Sequence, residues 1–180
     1  LVEAHLVGSV YRATYVAGEI RGILRGDPLR VTGDGTSTIA ILVEKKNASR
    51  HARVAEFKID DKCVEFLARQ GCTPESVIDN GVVMDMSEKI GLSYGGSSEE
   101  MLAKTHPKLL ATLKRAGDLL RAPVVGFDFI IKNAAVDPDD QKWGIIEANA
   151  RPFIDLHHFP LVGTPVNVAA AVWDLWKKSE

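Results

Sequence analysis

Two early stretches, Tyr11 to Val16 and Glu19 to Leu24, mix apolar with polar positions and are strand-like. Ala17-Gly18 between them has the composition of a tight turn, so the pair predicts a β-hairpin. The preceding run, LVEAHLVG, is also apolar and strand-like. After Asp27-Pro28, the string Val31-Thr-Gly-Asp-Gly-Thr36 reads as a loop. Ser37 or Thr38 then caps a helix to about Lys46, with Ile39, Leu42 and Val43 on its apolar face. Asn47 to Ala55 is basic and polar without a period, and is expected to be a mobile loop. Asp60 or Asp61 caps a short helix carrying Val64, Phe66 and Leu67, and Thr73-Pro74-Glu75 has the cap-then-proline order of a new helical turn.

Val82 to Met86 predicts a strand, and Ser87 to Ser98, with Gly91, Gly95 and Gly96, a loop. Thr105-His106-Pro107 opens the longest helix, running to about Ala122. Leu109, Leu110, Leu113, Ala116, Leu119 and Leu120 fall on one face of it at helical spacing. Val124 to Ile131 and Trp143 to Ala148 are apolar strands joined by the polar excursion Ala134 to Gln141, and a last helix covers Val166 to Lys177. Hairpin strands, antiparallel strands and covering helices together predict an α+β fold, an antiparallel sheet with helices on it, rather than a doubly wound parallel sheet. There is no internal repeat.

Composition narrows the classes of function. The chain has 180 residues, 46% of them apolar, enough to bury a sizeable core in one domain or two small lobes. Its 22 Lys and Arg are scattered among 24 Asp and Glu, for a net charge of -2, which is not the footprint of a nucleic-acid binder. The apolar runs are too short to span a bilayer and the start lacks the pattern of a signal peptide, so no membrane association and a cytoplasmic location are expected. Cys63 and Cys72 match neither a zinc knuckle nor a redox pair and read as ordinary thiols. Leu1 stands where an initiator Met would, and the chain opens directly into an apolar run. The expectation is a boundary inside a larger protein.

The chemistry is concentrated late in the chain. Gly126-Phe-Asp-Phe-Ile130 is followed by Trp143-Gly-Ile-Ile-Glu-Ala-Asn-Ala-Arg-Pro152. Alternation puts Glu147 and Asn149 on one face of their strand, where Asp128 of the neighbouring strand can join them. Two carboxylates and an amide suit magnesium completed by phosphate and water better than zinc. The plainer alternative is an edge-strand Asp and a Glu-x-Asn that caps the following turn. Against it, both strands are otherwise apolar, and burying an unpaired carboxylate is costly. The glycine loops Ser93-Tyr-Gly-Gly-Ser-Ser98 and Gly33-Asp34-Gly35 offer backbone N–H groups to an anion, although most such glycines only make turns. His157 and His158 lie in a loop placed to line an acceptor pocket, but without a third ligand they do not form a zinc site.

Tyr11-Arg12, EIRGILRGDP, VTGDGTSTI, SYGGSS, GFDFI and IIEANARP occur in an order that resembles the C-terminal part of ATP-grasp ligases, in particular cyanophycin synthetase and the ATP-grasp module of bifunctional glutathione synthetases. The resemblance implies an ATP-dependent carboxylate-amine ligase. In such a ligase ATP phosphorylates a carboxylate, and an amine then attacks the acyl phosphate to form an amide. It implies ATP and Mg2+, or Mn2+ in its place, as cofactors, with Asp128, Glu147 and Asn149 as metal ligands. It implies Arg12, Arg25 and Arg151 as catalytic residues meeting phosphate or acyl phosphate, and Glu3 with the backbone of Ala4 to Leu6 as the adenine contact. Partners would be a small carboxylate and an amine, an amino acid or peptide, and exposed hairpin strands leave room for a homo-oligomer. The plainer reading of Arg12 and Arg25 is surface solvation, and Arg21 and Arg30 show arginines to spare.

Two positions depart from the pattern. Val10 stands where such ligases often carry an acid, and Ser87 where they tend to have a base, for which Lys89 is a substitute. The family's nucleotide-binding lysines and glycine-rich lid belong to a half preceding Leu1. Residues 1–180 are therefore expected to be the C-terminal part of an ATP-grasp domain, inactive alone. A non-catalytic nucleotide-binding or assembly module is the alternative reading.

Overall fold

A computed structural model describes residues 4–177. By backbone contacts the chain divides into two compact units, one comprising Leu1–Gly26 and Ser98–Glu180, the other Asp27–Ser97. Each is described by itself.

The first unit is built on a five-stranded sheet. Strand β1 is Ser9–Val16, β2 Glu19–Asp27, β5 Ser97–Glu100, β6 Val124–Ile131 and β7 Gly144–Asn149, in the order β5-β2-β1-β6-β7. The predicted hairpin is present, and β1 runs antiparallel to both β2 and β6. Alternation then sorts the side chains. Tyr11, Ala13 and Tyr15 of β1 share a face with Phe127, Phe129 and Ile131 of β6, and this face packs on helix α3, Pro107–Leu120, through Leu109 and Leu113. The Tyr11 and Phe129 rings stack at 5.2 Å. His106 caps α3 by accepting from the backbone of Lys108, and Pro107 occupies the first turn, where its missing N–H is no loss. The buried stripe of α3 differs from expectation. Gly117 faces inward after Leu109 and Leu113, whereas Leu119 and Leu120 are 74% and 52% exposed. Helix α4, Asp155–His158, follows β7, and α5, Val168–Lys177, closes the unit.

The second unit holds a short antiparallel pair, β3 Arg30–Thr32 and β4 Val83–Asp85, with helices α1 Ile39–Ala48 and α2 Asp61–Arg69. Thr38 and Asp60 cap the two helices through their side chains, as their residue types require. Leu29, Val31, Ile39, Leu67 and Met86 form its core. The loop at Asp34 is held by its carboxylate, which accepts from the backbone of Thr36 and Ser37 at 3.0 and 2.6 Å and pairs with Lys45 at 3.2 Å.

Four local expectations are corrected. Residues 4–7 are not in a strand, since the sheet begins at Ser9. The segment after α1 is tied down: the Asn47 amide donates to the Phe57 carbonyl and accepts from the Phe57 N–H, at 2.8 and 3.0 Å. Residues 73–75 form a turn, not a helix. The Ser76 hydroxyl accepts from the Thr73 N–H and Val77 bridges to Thr38, so those backbone groups are committed elsewhere. The expected loop at 87–98 ends in β5, whose Ser-Ser-Glu-Glu sequence has no apolar period to reveal it.

Two outcomes follow. An added Cβ at Gly117 would lie 2.3 Å from the Tyr15 ring, whose hydroxyl is fixed by donating to Asp118 at 2.9 Å. Helix propensity alone would make Gly117→Ala stabilising by about 1 kcal/mol. Overpacking against a pinned ring outweighs that, and urea unfolding should show a loss of about 1–2 kcal/mol. Hydrogen bonds from Ser37, then Thr36, hold the exposed Asp34 carboxyl well below the usual carboxylate range. Its stabilisation is present above the unfolded value of about 3.9 and is lost as pH falls toward the folded one. Asp34→Asn should therefore lower stability near neutrality and flatten its acid dependence in pH-resolved unfolding curves.

Candidate functional site

The face of the sheet opposite α3 carries the polar residues of β1, β6 and β7. Register places Arg12 opposite Asp128, and Asp128 opposite Glu147, so the three stand in one row across three strands. Asn149 lies in the next row, opposite Gly126. The Arg12 guanidinium grips Asp128 with two parallel bonds, Nε to Oδ1 and Nη2 to Oδ2, the second at 2.7 Å. The Asn149 amide reaches Asp128 Oδ2 at 3.5 Å. Arg12 is held above its ordinary value first by this hydrogen bond and then by the charges of Asp128 and Glu147, with burial working against them. The row holds one cation against two anions, and like charges directly across a strand pair repel. The uncompensated negative charge and three oxygen-bearing side chains fit a hard divalent cation that takes its remaining ligands from phosphate and water. Among the described residues no three His, Cys, Asp or Glu side chains form a ready-made metal cage.

The other residues singled out in the sequence are placed less uniformly. Arg25 stands opposite Tyr11, so alternation sets it on the face away from Arg12, and its guanidinium lies 3.5 Å from Glu99. Arg151 is exposed on the bend directly after β7. Ala4 is exposed and Leu6 half-buried, in a stretch without regular structure. The methyl of Leu6 would be 3.3 Å from a Cβ added to Gly144 of β7. Glu3 lies outside the described residues. Val10 is on the same face of β1 as Arg12, opposite Ile130.

His157 is not in a pocket lining but fully buried. Its Nδ1 lies 2.6 Å from Glu100 Oε2 and its Nε2 2.8 Å from Thr14 Oγ1. His158 diverges from it and accepts from the backbone of Ala169. Glu100 and Thr14 carried no separate signal in the sequence. Gly22 did: glycine inside a strand marks a close approach, and a Cβ there would sit 2.4 Å from the His157 ring. In the second unit, a cleft of about 480 Å³ includes Phe66, Arg69, Glu88, Lys89 and Tyr94 in its lining, with the Lys89 ammonium 4.8 Å from the Tyr94 ring centre. The glycine N–H groups of the expected anion-binding loop at Gly33-Asp34-Gly35 donate instead to the carbonyls of Val82 and Ile78, at 2.8 and 3.1 Å, while the Asp34 carboxylate takes those of Thr36 and Ser37.

No family model matches the chain. Individual proteins do. The bifunctional glutathione biosynthesis protein of Clostridium perfringens is 30% identical over 97% of this chain, and the cyanophycin synthetase of Synechocystis 29% over the same share. The corresponding Mannheimia succiniciproducens protein is 32% identical over 91%. This chain is a homologue of those two groups of proteins. The crystal structure of a bifunctional glutathione synthetase from Pasteurella multocida superposes with a TM-score of 0.72 at 26% identity, over 97% of the chain, which bears out the ATP-grasp resemblance and the α+β fold. The chain spans about a quarter or less of the length of these relatives: 23%, 21% and 23% of the three sequences and 25% of the solved chain. Among the described residues, no helix is long and apolar enough to cross a membrane.

The bidentate pair predicts a measurable coupling. Arg12 and Asp128 side chains are 25% and 15% exposed, intermediate between a surface pair and a core pair. A double-mutant cycle with Arg12→Ala and Asp128→Ala, read by chemical unfolding, should give about 1–3 kcal/mol. A value below about 0.5 kcal/mol would mark an ordinary surface ion pair.

Proposed function

We propose that this chain supplies the metal and phosphate-facing part of an ATP-dependent ligase that joins a carboxylate to an amine. The observation that carries the reading is the cross-strand row of Arg12, Asp128 and Glu147 with Asn149 beside it. Phosphoryl transfer needs neutralisation of the moving charge and in-line positioning more than it needs a covalent catalyst. A row that combines a guanidinium with two carboxylates has both kinds of group at one place. The homologues, named for glutathione and cyanophycin synthesis, support the reaction class.

In this reading a carboxylate oxygen of the donor substrate attacks the γ-phosphorus of ATP, and the bond to the β-phosphate oxygen breaks to release ADP. The amine of the acceptor, having lost a proton, attacks the acyl carbon. Inorganic phosphate then leaves, and a second proton lost from nitrogen gives the neutral amide. A magnesium ion held by Asp128, Glu147 and Asn149 would supply charge neutralisation at the phosphates. Arg12 holds Asp128 in place with two of its five N–H donors and can offer the remainder to a phosphate oxygen. Arg151, exposed beside the end of β7, is placed for an anionic group of either substrate. Glu3 with the backbone of Ala4 to Leu6 would contact adenine. The substrates are small molecules, an amino acid or peptide among them.

One observation favours the alternative, a nucleotide-binding module without turnover: the Asp128 carboxylate is already engaged by Arg12 on both oxygens. The test uses the full-length protein with Mg2+, ATP and a panel of amino acids and short peptides. ADP release should require an added amine, and Glu147→Gln should lower that turnover by about 100-fold or more without altering the unfolding midpoint. Amine-independent ADP release, or tight nucleotide binding with no release at all, would overturn the ligase reading, the second outcome in favour of the alternative.

A further inference from the structure

The segment that follows β7 folds back over the sheet along a trough of small residues. Asn149, Gly126, Thr14 and Gly22 stand opposite one another in a single row across β7, β6, β1 and β2. The neighbouring row is Glu147, Asp128, Arg12 and Leu24. Pro152 lies over Gly126, where an added Cβ would be 2.6 Å from the proline ring and 3.2 Å from Arg12 Cδ. His157 lies over Gly22 at 2.4 Å by the same measure. The return segment is thus seated at two points in the row beside the charged one.

The far point is latched by polar bonds. His157 joins Thr14 of β1 to Glu100 of β5 through its two ring nitrogens. The other Glu100 oxygen accepts from the backbone N–H of Ile23 and of Leu102, at 2.9 and 3.2 Å. The His157 carbonyl accepts from Val166 at 2.7 Å, which ties the latch to the approach to α5. All three side chains are buried, Thr14 and His157 at 0% and Glu100 at 5% exposure. A hydroxyl, an imidazole and a carboxylate in sequence have the connectivity of a nucleophilic triad, but Thr14 is sealed inside the sheet and no substrate can reach it. The role that remains is mechanical. A latch with both nitrogens committed fixes the return segment whose other end begins at Asn149.

We infer that His157 is a positioning residue for the metal site: through Thr14 and Glu100 it seats residues 150–157 in the trough and so holds Asn149 against Asp128. This rests on the ligase reading. Loss of an outer partner of a metal ligand commonly costs about 10–100-fold in metal affinity, and a latch acting through the segment should cost about tenfold.

The experiment uses the full-length protein and titrates Mn2+ in the presence of ADP, with free Mn2+ followed by electron paramagnetic resonance. His157→Ala should weaken binding about tenfold and lower kcat more than it raises KM for ATP. His157→Gln, which keeps an amide donor and acceptor, should recover part of the loss. Gly22→Ala should weaken binding in the unsubstituted protein and have little effect in the His157→Ala background, because the space above Gly22 matters only while an imidazole fills it. Unchanged Mn2+ affinity in a folded His157→Ala protein, or a Gly22→Ala effect of equal size in both backgrounds, would overturn the inference. Should His157→Ala fail to fold, His157→Gln and Gly22→Ala decide it by the same titration, intact affinity in both overturning it. Absence of Mn2+ binding by the unsubstituted protein with nucleotide would sink the ligase reading and this role together, whereas unchanged affinity in the variants sinks this role alone.

Discussion

Strands β1 and β6 pair without interruption from Ser9 opposite Ile131 to Val16 opposite Val124. Because side chains alternate across a strand, this register assigns every residue of both strands to one of two faces at once. Tyr11, Ala13, Tyr15, Phe127, Phe129 and Ile131 go to the core under α3, while Arg12, Thr14, Gly126 and Asp128 go to the other face. A slip of one position would turn one strand over against the other, burying either the guanidinium or the carboxylate under α3 and exposing that strand's two aromatic rings. The apolar face therefore enforces the geometry of the polar one, and the Arg12–Asp128 pair inherits its alignment from ring packing on the opposite side of the same sheet.

On the polar face the two adjacent rows do different work. The charged row places a guanidinium and two carboxylates on one line, where their mutual field leaves a negative excess. The row beside it has glycine at two of its four places, and the missing side chains there admit the return segment close to the backbone. Glycine is unfavourable in a strand interior by roughly 0.5–1 kcal/mol relative to alanine. At Gly22 and Gly126 that cost is offset by contacts a Cβ would forbid, with the His157 ring and with Pro152. Burial of Glu100 has the same logic. An unpaired carboxylate in that position would be costly, and it is satisfied instead by two backbone N–H groups and an imidazole.

Homology and geometry bear on different parts of this picture. Relatives at about 30% identity, matched over nearly the whole chain, define the lineage, and the glutathione synthetase superposition defines the fold. Neither names the role of an individual side chain, which comes from register and contact. The same holds for the second unit, where the Gly33-Asp34-Gly35 turn looks like an anion cradle in sequence and proves to have its glycine N–H groups bonded to the carbonyls of Val82 and Ile78.

The sequence by itself determined the elements whose signals are local: the hairpin from two strand-like segments and its Ala17-Gly18 turn, the helices from the cap pairs Ser37/Thr38 and Asp60/Asp61 and from His106-Pro107, and the strands around Asp128 and Glu147 from their apolar runs. It also determined that Glu147 and Asn149 share a face, since alternation is a property of a strand wherever it lies, whereas Asp128 joins them only through the register of β6 on β7. What the tertiary structure decided was everything that depends on which strand lies beside which. Arg12 meets Asp128 although 116 residues separate them, Arg25 lands on the opposite face from Arg12, and a polar Ser-Ser-Glu-Glu becomes the edge strand that supplies Glu100. His157 illustrates the reason. Its neighbours in sequence say only that it follows a turn, whereas its partners stand 57 and 143 residues away, and such pairings leave no period or composition for a linear reading to detect.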